Sequence, residues 1–246
     1  MEIIAIGDIH GRREIVDHIL SDQFSEYQKV FIGDYLDSYN RSVEDQFYCL
    51  TTILDAVEER DDVVALRGNH ENSYFKGEMC GGFNPTLFTL TTHVKKRERD
   101  LLLDFYVGNG VLFTHAGLHQ NWIELHRRES GQPLRRDPDF DLEEISEFLR
   151  SPLISGNYAR GAVGRCRGGN HEVGGIFWCD WFKEFESVPG LSQVVGHSGY
   201  RPRGERLGII EKDGNYLIDC FEHAQEVLQV HEKGGATIVV LDVETE

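Results

Sequence analysis

No run of apolar residues approaches the ~20 needed to cross a bilayer, so no membrane span is expected. The opening Met1-Glu2-Ile3-Ile4 has neither a basic stretch nor a cleavage site, and no secretory leader is expected. Cysteine is sparse and scattered. Cys49, Cys80, Cys166, Cys179 and Cys220 form no CxxC pair, which argues against a disulfide framework or a zinc knuckle and for a reducing, cytoplasmic setting. Positive charge is also short: 25 Lys and Arg face 42 Asp and Glu, for a net charge of −17. So acidic a chain disfavours long nucleic acid and anionic membranes as partners. A small anionic substrate is still admissible where a site supplies its own cations. There is no internal repeat and no low-complexity tract.

What is present suffices for a globular core without staples. The chain has 246 residues, 40% of them hydrophobic and 27% charged, and is read as one domain over 1–246. One pattern recurs five times: a short apolar run that ends abruptly in polar, metal-competent residues. Ile3 to Ile6 runs into Gly7-Asp8-Ile9-His10-Gly11, Val30 to Ile32 into Gly33-Asp34, and Val63 to Leu66 into Arg67-Gly68-Asn69-His70-Glu71. Val111 to Phe113 runs into Thr114-His115-Ala116-Gly117, and Val194-Val195 into Gly196-His197. Such β-branched runs read as buried strands, and in an α/β protein ligands collect at their carboxyl ends.

Helices are expected over Arg12–Leu20, from Ser42 as N-cap to Glu59, over Lys95–Tyr106 and over Asp141–Leu149. Asp213-Gly214 reads as the turn of a hairpin between Leu207–Ile210 and Tyr216–Ile218. Gly234-Gly235 reads as the turn of another, between Glu226–His231 and Ala236–Val243. Together these suggest a second, largely antiparallel sheet. A helical, glycine-rich insert lies at about 118–177, and its stretch 156–175, carrying Arg160, Arg165 and Arg167, reads as a loop long enough to be functional or mobile.

Taken singly, a Gly-Asp after a strand is an ordinary turn and a lone histidine is an ordinary polar residue. Five separate strand ends offering carboxylate, imidazole and amide oxygen are the donor types that hold a pair of divalent ions. GDIHG at 7–11, GDxxD at 33–37, RGNHE at 67–71, HAG at 115–117 and GH at 196–197 resemble the calcineurin-like metallophosphoesterases, in their phosphoprotein-phosphatase branch. The resemblance implies an α/β (or α+β) fold of two packed mixed sheets flanked by helices. It implies a hydrolase whose nucleophile is a hydroxide bridging two divalent ions, Mn or an Fe/Zn pair, with Co or Ni also admissible. Asp8, His10 and Asp34 would hold the first ion. Asp34 would bridge to the second, completed by Asn69, His115 and His197. His70 would be the general acid, oriented by Asp37, and Arg67 would contact a phosphoryl oxygen. Two such ions outweigh Asp8, Asp34 and a hydroxide by about one positive charge, which explains how an acidic chain attracts phosphate.

The family's second motif continues with arginine where this chain has Ser38. A serine gives one hydrogen bond but neither charge nor fork. Replacement candidates are Arg41, Arg160, Arg165, Arg167, Arg201 and Arg203. His119 and His171 read as surface or structural. Trp178 and Trp181 read as packing, and Asp180 as a partner that orients a histidine. The substrate is expected to be a phosphorylated protein or a small phosphorylated metabolite. Alternatives are a dinucleoside polyphosphate, nucleotide or phosphodiester, and a metal-binding module without turnover.

Overall fold

A computed structural model of the chain describes residues 1–129, 140–151, 154, 157–199 and 208–243. Two five-stranded sheets form its frame. The first runs in the order β10-β9-β1-β2-β3 and contains β1 (Ile3–Ile6), β2 (Gln28–Phe31), β3 (Val63–Ala65), β9 (Glu226–Val230) and β10 (Ala236–Val240). The second runs β4-β5-β6-β8-β7 and contains β4 (Phe105–Gly108), β5 (Val111–Thr114), β6 (Gln193–Val195), β7 (Ile210–Lys212) and β8 (Asn215–Leu217). Each sheet has three parallel strands, β1, β2 and β3 in one and β5, β6 and β8 in the other; the antiparallel pair β9–β10 flanks one side of the first, and β4 and β7 close both edges of the second through antiparallel pairing.

Alternation along β1 shows how the layers pack. Ile3 and Ala5 face the second sheet and meet Phe113, Val194 and Ile218. Ile4 and Ile6 face outward, onto Ile15, Val16 and Ile19 of α1 (Arg13–Ile19) and Leu50 and Ile53 of α2 (Val43–Glu59). A strand buried on both faces needs apolar residues at every position, which is why the run reads as continuous. On the far side, Leu112 of β5 packs against Trp122 and Ile123 of α6 (Gln120–Glu129) and Ile145, Phe148 and Leu149 of α7 (Leu142–Arg150).

Ser42 Oγ accepts from the Asp45 N–H at 3.0 Å, capping α2, and Asp141 Oδ1 accepts from the Glu143 N–H at 2.9 Å, capping α7. The helix expected over Lys95–Tyr106 stops at Leu101. There the backbone is drawn to the end of β3: the Leu103 N–H donates to the Ala65 carbonyl and the Arg67 N–H to the Leu103 carbonyl. Phe105 onward then becomes β4, paired with β5. The two C-terminal hairpins form, but they do not share a sheet. β7–β8 extends the second sheet, whereas β9–β10 joins the first through β1, with Ile3 opposite Val230. Leu207 lies outside the described residues. Among the described residues no helix is long and apolar enough to cross a membrane.

Candidate metal centre

Every parallel strand ends at the same place. β1 leads to Asp8 and His10, β2 to Asp34, β3 to Asn69, β5 to His115 and β6 to His197. The sixth, β8, leads through Ile218 to Asp219. Close approach requires glycine between them. A Cβ on Gly68 would stand 2.1 Å from Asp34 Oδ1, and one on Gly196 would stand 2.1 Å from Asp8 Oδ1. His10, Asp34, Asp37 and His197 all have positive φ, from 44° to 69°. A non-glycine residue held there costs on the order of 1–3 kcal/mol, so the surrounding structure holds these four in place. Part of that hold is the Asp34 carbonyl, which accepts from the N–H groups of Ile9 and His10. Another part is Glu71, in α3 (Asn69–Lys76). Its buried carboxylate accepts from the N–H groups of Asp34, Tyr35, Leu36 and Gly68 at 2.8–3.2 Å and ties the β2 and β3 loops together.

Asp34 is central. Its Oδ2 lies 3.9 Å from His10 Nε2, 3.7 Å from His70 Nε2 and 3.3 Å from His115 Nε2. Asp8 Oδ2 is 4.0 Å from His10 Nε2. Asn69 Oδ1 lies between His115 Nε2, at 2.9 Å, and His197 Nδ1, at 2.7 Å. Two groups of metal-competent donors result, His10/Asp34/His70 and Asp34/His115/His197, and Asp34 belongs to both. His10 Nδ1 meets the Leu36 carbonyl at 2.7 Å and His115 Nδ1 the Ile32 carbonyl at 3.0 Å. A carbonyl only accepts, so each ring carries a proton on Nδ1 and turns its Nε2 toward the centre.

These residues fit divalent cations. Among the described residues, Asp8 and Asp34 are buried without a Lys or Arg ion-pair partner, and His197 Nε2 is buried without a hydrogen bond. Buried charge needs a counter-charge. Burial, Asp219 and Asp34 together push the Asp8 carboxyl well up, and burial with Asp34 pushes Asp219 up to about 6. Burial also opposes ionisation of Asp34, but His115, His70 and His10 hold its carboxyl well below the usual range. Burial and the neighbouring His115 and Arg167 keep the His197 ring neutral. Carboxylate oxygens, imidazole nitrogens and one amide oxygen suit first-row divalent metals.

His70 enters from the first turn of α3. Its Nδ1 contacts Asp37 Oδ2 at 2.6 Å, while its Nε2 faces Asp34. Burial disfavours the charged ring, yet Asp34 and Asp37 outweigh it and raise the His70 pKa well above the ordinary value. Tyr74, one helical turn on from His70, donates its hydroxyl to the other oxygen of Asp37 at 2.5 Å.

The arginines divide sharply. Arg67 does not reach the centre. Its guanidinium turns away to Asp104, with Nη1 2.5 Å from Oδ1, and to the carbonyls of Glu98 and Leu102. The motif fixes where its backbone stands, but half-buried Asp104 and these carbonyls fix where its side chain goes. Arg160 shares Asp104. Arg41 is held by Glu14 at 2.5 Å, in a separate depression, and Arg165 is exposed. Arg167 alone of the described candidates lines the cavity over the centre, a space of about 290 Å³ that also borders Ser38, Tyr39, Trp178 and Glu222. Its Nε pairs with Asp180 Oδ2 at 2.7 Å, so Asp180 orients an arginine and not a histidine. Its Nη2 donates to the His197 carbonyl and Ser198 Oγ. The glycine-rich loop that carries it is built: Arg165–Arg167 is a 3₁₀ turn closed by the Arg165 N–H to the His171 carbonyl. Trp178 stands edge-on to His197, with ring centres 5.5 Å apart. Arg201 and Arg203 lie outside the described residues.

Sequence reasoning missed Asp219, Tyr74 and Cys80. Asp219 had the same signal as the others, an apolar run, Tyr216 to Ile218, ending in a carboxylate.

Residues 1–198 match the family of calcineurin-like phosphoesterases, and the chain belongs to it. Among solved structures, a cold-active protein-tyrosine phosphatase from a psychrophilic Shewanella species superposes with a TM-score of 0.60 at 15% identity, covering 96% of this chain and 80% of that one. A protein serine/threonine phosphatase from Saccharomyces cerevisiae superposes with a TM-score of 0.51 at 14% identity, covering 100% of this chain and 81% of that one. At such identities the likeness is one of fold. No curated protein matches the chain. Membership of this divalent-metal-dependent family makes the chain a phosphoric ester hydrolase.

Proposed function

We propose that this enzyme hydrolyses phosphomonoesters at a pair of divalent cations, Mn²⁺ foremost, on a phosphorylated protein or a small phosphorylated metabolite. One observation carries the reading: Asp34 is shared by two donor groups, and His70, the member of the first group that is paired with a second carboxylate, Asp37, is set apart as an acid. Asp8, His10 and Asp34 would hold one cation, and Asp34, Asn69, His115 and His197 the other. When bound, such a pair supplies an activated water at neutral pH and withdraws charge from the phosphoryl group.

The chain's own side chains do the rest. His70 gives the Nε2 proton to the departing oxygen, and Asp37 holds its Nδ1 proton and the ring's orientation. Arg167 stands in for the arginine missing at Ser38. Its Nε is fixed on Asp180 and its Nη2 on the His197–Ser198 segment, which leaves Nη1 outside these contacts for a phosphoryl oxygen. The exposed ring of Tyr39 and that of Trp178 flank the opening and would contact the leaving group. The two structural relatives named above are called phosphatases of phosphoproteins, in keeping with a monoester substrate.

The test is hydrolysis of para-nitrophenyl phosphate against bis-para-nitrophenyl phosphate after chelation and re-addition of Mn²⁺. Metal-dependent turnover of the monoester well above the diester supports the reading. Preference for the diester replaces it with a nucleotide or diester hydrolase, and bound metal without turnover of either replaces it with a binding module.

A further inference from the structure

Three donors of different kinds converge beside the centre, on the side of His70 that faces away from Asp34. Asp37 Oδ2 receives His70 Nδ1 at 2.6 Å and Cys80 Sγ at 3.1 Å, and Cys80 Sγ lies 3.3 Å from His70 Nδ1. Orienting His70 requires only the carboxylate, so the thiol is surplus to that task.

The thiol is delivered by a built loop. Gly77, with φ of 75°, ends α3. The Asn84 N–H donates to Tyr74 Oη at 2.9 Å, and the Phe83 ring stacks on Tyr74 with centres 5.1 Å apart. Tyr74 thus anchors the Cys80 loop with one side of its hydroxyl and Asp37 with the other. Gly82 brings the loop backbone against Asp37, since a Cβ there would stand 3.1 Å from the Asp37 Cβ. Cys80 is partly exposed, and its neighbour Gly81 lines the cavity, so an ion has a path in.

We propose that Asp37 Oδ2, His70 Nδ1 and Cys80 Sγ form a separate, inhibitory site for a thiophilic divalent cation of the Zn²⁺ type. Zinc bonds of about 2.0–2.3 Å at tetrahedral angles place donors roughly 3.2–3.6 Å apart. Of the triangle of 2.6, 3.1 and 3.3 Å, the two edges to sulfur need to open by only a few tenths of an ångström, and the Asp37–His70 edge by roughly 0.7 Å. Thiolate, imidazole and carboxylate are a zinc set, and water completes the fourth position. Binding releases the Cys80 thiol proton and the His70 Nδ1 proton to solvent, with no change of oxidation state. The ring then keeps one proton, on Nε2, and cannot become an imidazolium. Esters whose leaving oxygen needs a proton are therefore blocked, and esters of good leaving groups are spared. This consequence rests on the acid role given to His70 above, but the site itself does not.

The test titrates Co²⁺ and Zn²⁺ into the Mn²⁺-loaded full chain and its C80S and C80A variants. The metal centre offers no sulfur, so a cobalt–thiolate charge-transfer band in the near ultraviolet that depends on Cys80, and not on the other four free cysteines, reports this site. The band is expected in the parent and absent from both variants. The Zn²⁺ concentration halving phenyl phosphate hydrolysis is expected to rise by at least about tenfold in the variants, since losing even an outer partner of a ligand costs about 10–100-fold and these lose a ligand. Para-nitrophenyl phosphate hydrolysis in the parent is expected to resist Zn²⁺. No band in the parent, or the same band in both variants, overturns the site. A Cys80-dependent band with equal inhibition of the two esters upholds the site and overturns the acid role of His70.

Discussion

Arg67 is where motif and structure disagree, and replacing it with alanine separates them. The motif reading makes Arg67 a phosphate contact. The structure makes it a strut: its guanidinium is buried, pairs with Asp104 at 2.5 Å and donates to the carbonyls of Glu98 and Leu102 at 3.4 and 3.2 Å. Breaking a buried pair costs about 3–5 kcal/mol; because Asp104 is only partly buried and Arg160 still holds it, the low end, about 3 kcal/mol, applies. A chain of this size loses roughly 2–4 °C of melting temperature per kcal/mol, so R67A should melt about 6–12 °C lower. At a temperature where the variant is folded, KM for para-nitrophenyl phosphate should change by less than about threefold. A lost phosphate contact predicts the reverse, because a hydrogen bond to a charged group is worth about 1.5–3 kcal/mol, or roughly 10–150-fold in kcat/KM. Thermal melting by circular dichroism and steady-state kinetics on one preparation decide it. A melt within about 2 °C of the parent together with a tenfold higher KM would refute the strut. D104N should lower the melt in the same direction.

Four further outcomes follow from the same geometry. R167A should lower kcat/KM by about 10–100-fold, whereas R41A and R165A should stay within about threefold; equal effects in all three would remove Arg167 from the site. H70N should slow phenyl phosphate turnover by roughly 10²–10⁴ while retaining bound metal, and para-nitrophenyl phosphate should recover much of that loss; equal losses with both esters would show that His70 is no acid. Glu98 is buried, and burial with repulsion from Glu71 pushes its carboxyl up to about 8 from 4.5. The folded chain keeps a proton that the unfolded chain gives up above about pH 4.5, so stability falls as pH rises from there to 8. E98Q should match the parent near pH 4.5 and gain on it with pH, on the order of 4 kcal/mol by pH 8; a constant difference in melting temperature would refute this. Finally, chelation should lower the melt by about 5–11 °C relative to protein held at a hundredfold excess of metal over its dissociation constant, which is worth about 2.7 kcal/mol.

The parts of the fold legible in the sequence are those set by local pattern. The apolar runs within β1, β2, β3, β5 and β6 could be read because a strand buried on both faces is built mainly of apolar residues, with Lys29 and Gln193 as buried polar exceptions, and each run ends where its ligands begin. Ser42 and Asp141 announced their helices because a cap is a contact between residues two or three apart. What failed was any question of where one element meets a distant one. A hairpin is a local event, but the choice of β1 as the partner of β9 depends on packing across more than two hundred residues of chain. The side-chain direction of Arg67 is likewise set by Asp104, Glu98 and Leu102, none of them in its motif. Tyr74 was half visible: it lies one helical turn from His70, so recognising α3 would have put both on one face.

The six parallel strands also explain why a mostly acidic chain builds its centre here. Two sheets that present parallel strands side by side bring six loops to one end, and each loop needs to supply only one or two donors. Three of the donors, His10, Asp34 and His197, are held at positive φ, as is Asp37 beside them. The inter-sheet core and the Glu71 clasp offset that strain. A cation bound there would add to the same balance, because it would neutralise Asp8 and Asp34 where, among the described residues, no lysine or arginine pairs with them. Stability and chemistry are therefore coupled at one point, Asp34. Its backbone carbonyl holds the β1 loop, its N–H is held by Glu71, and its carboxylate joins both donor groups. Changing Asp34 to asparagine keeps the backbone contacts and removes the shared charge, which makes it the substitution that parts the scaffold from the centre it carries.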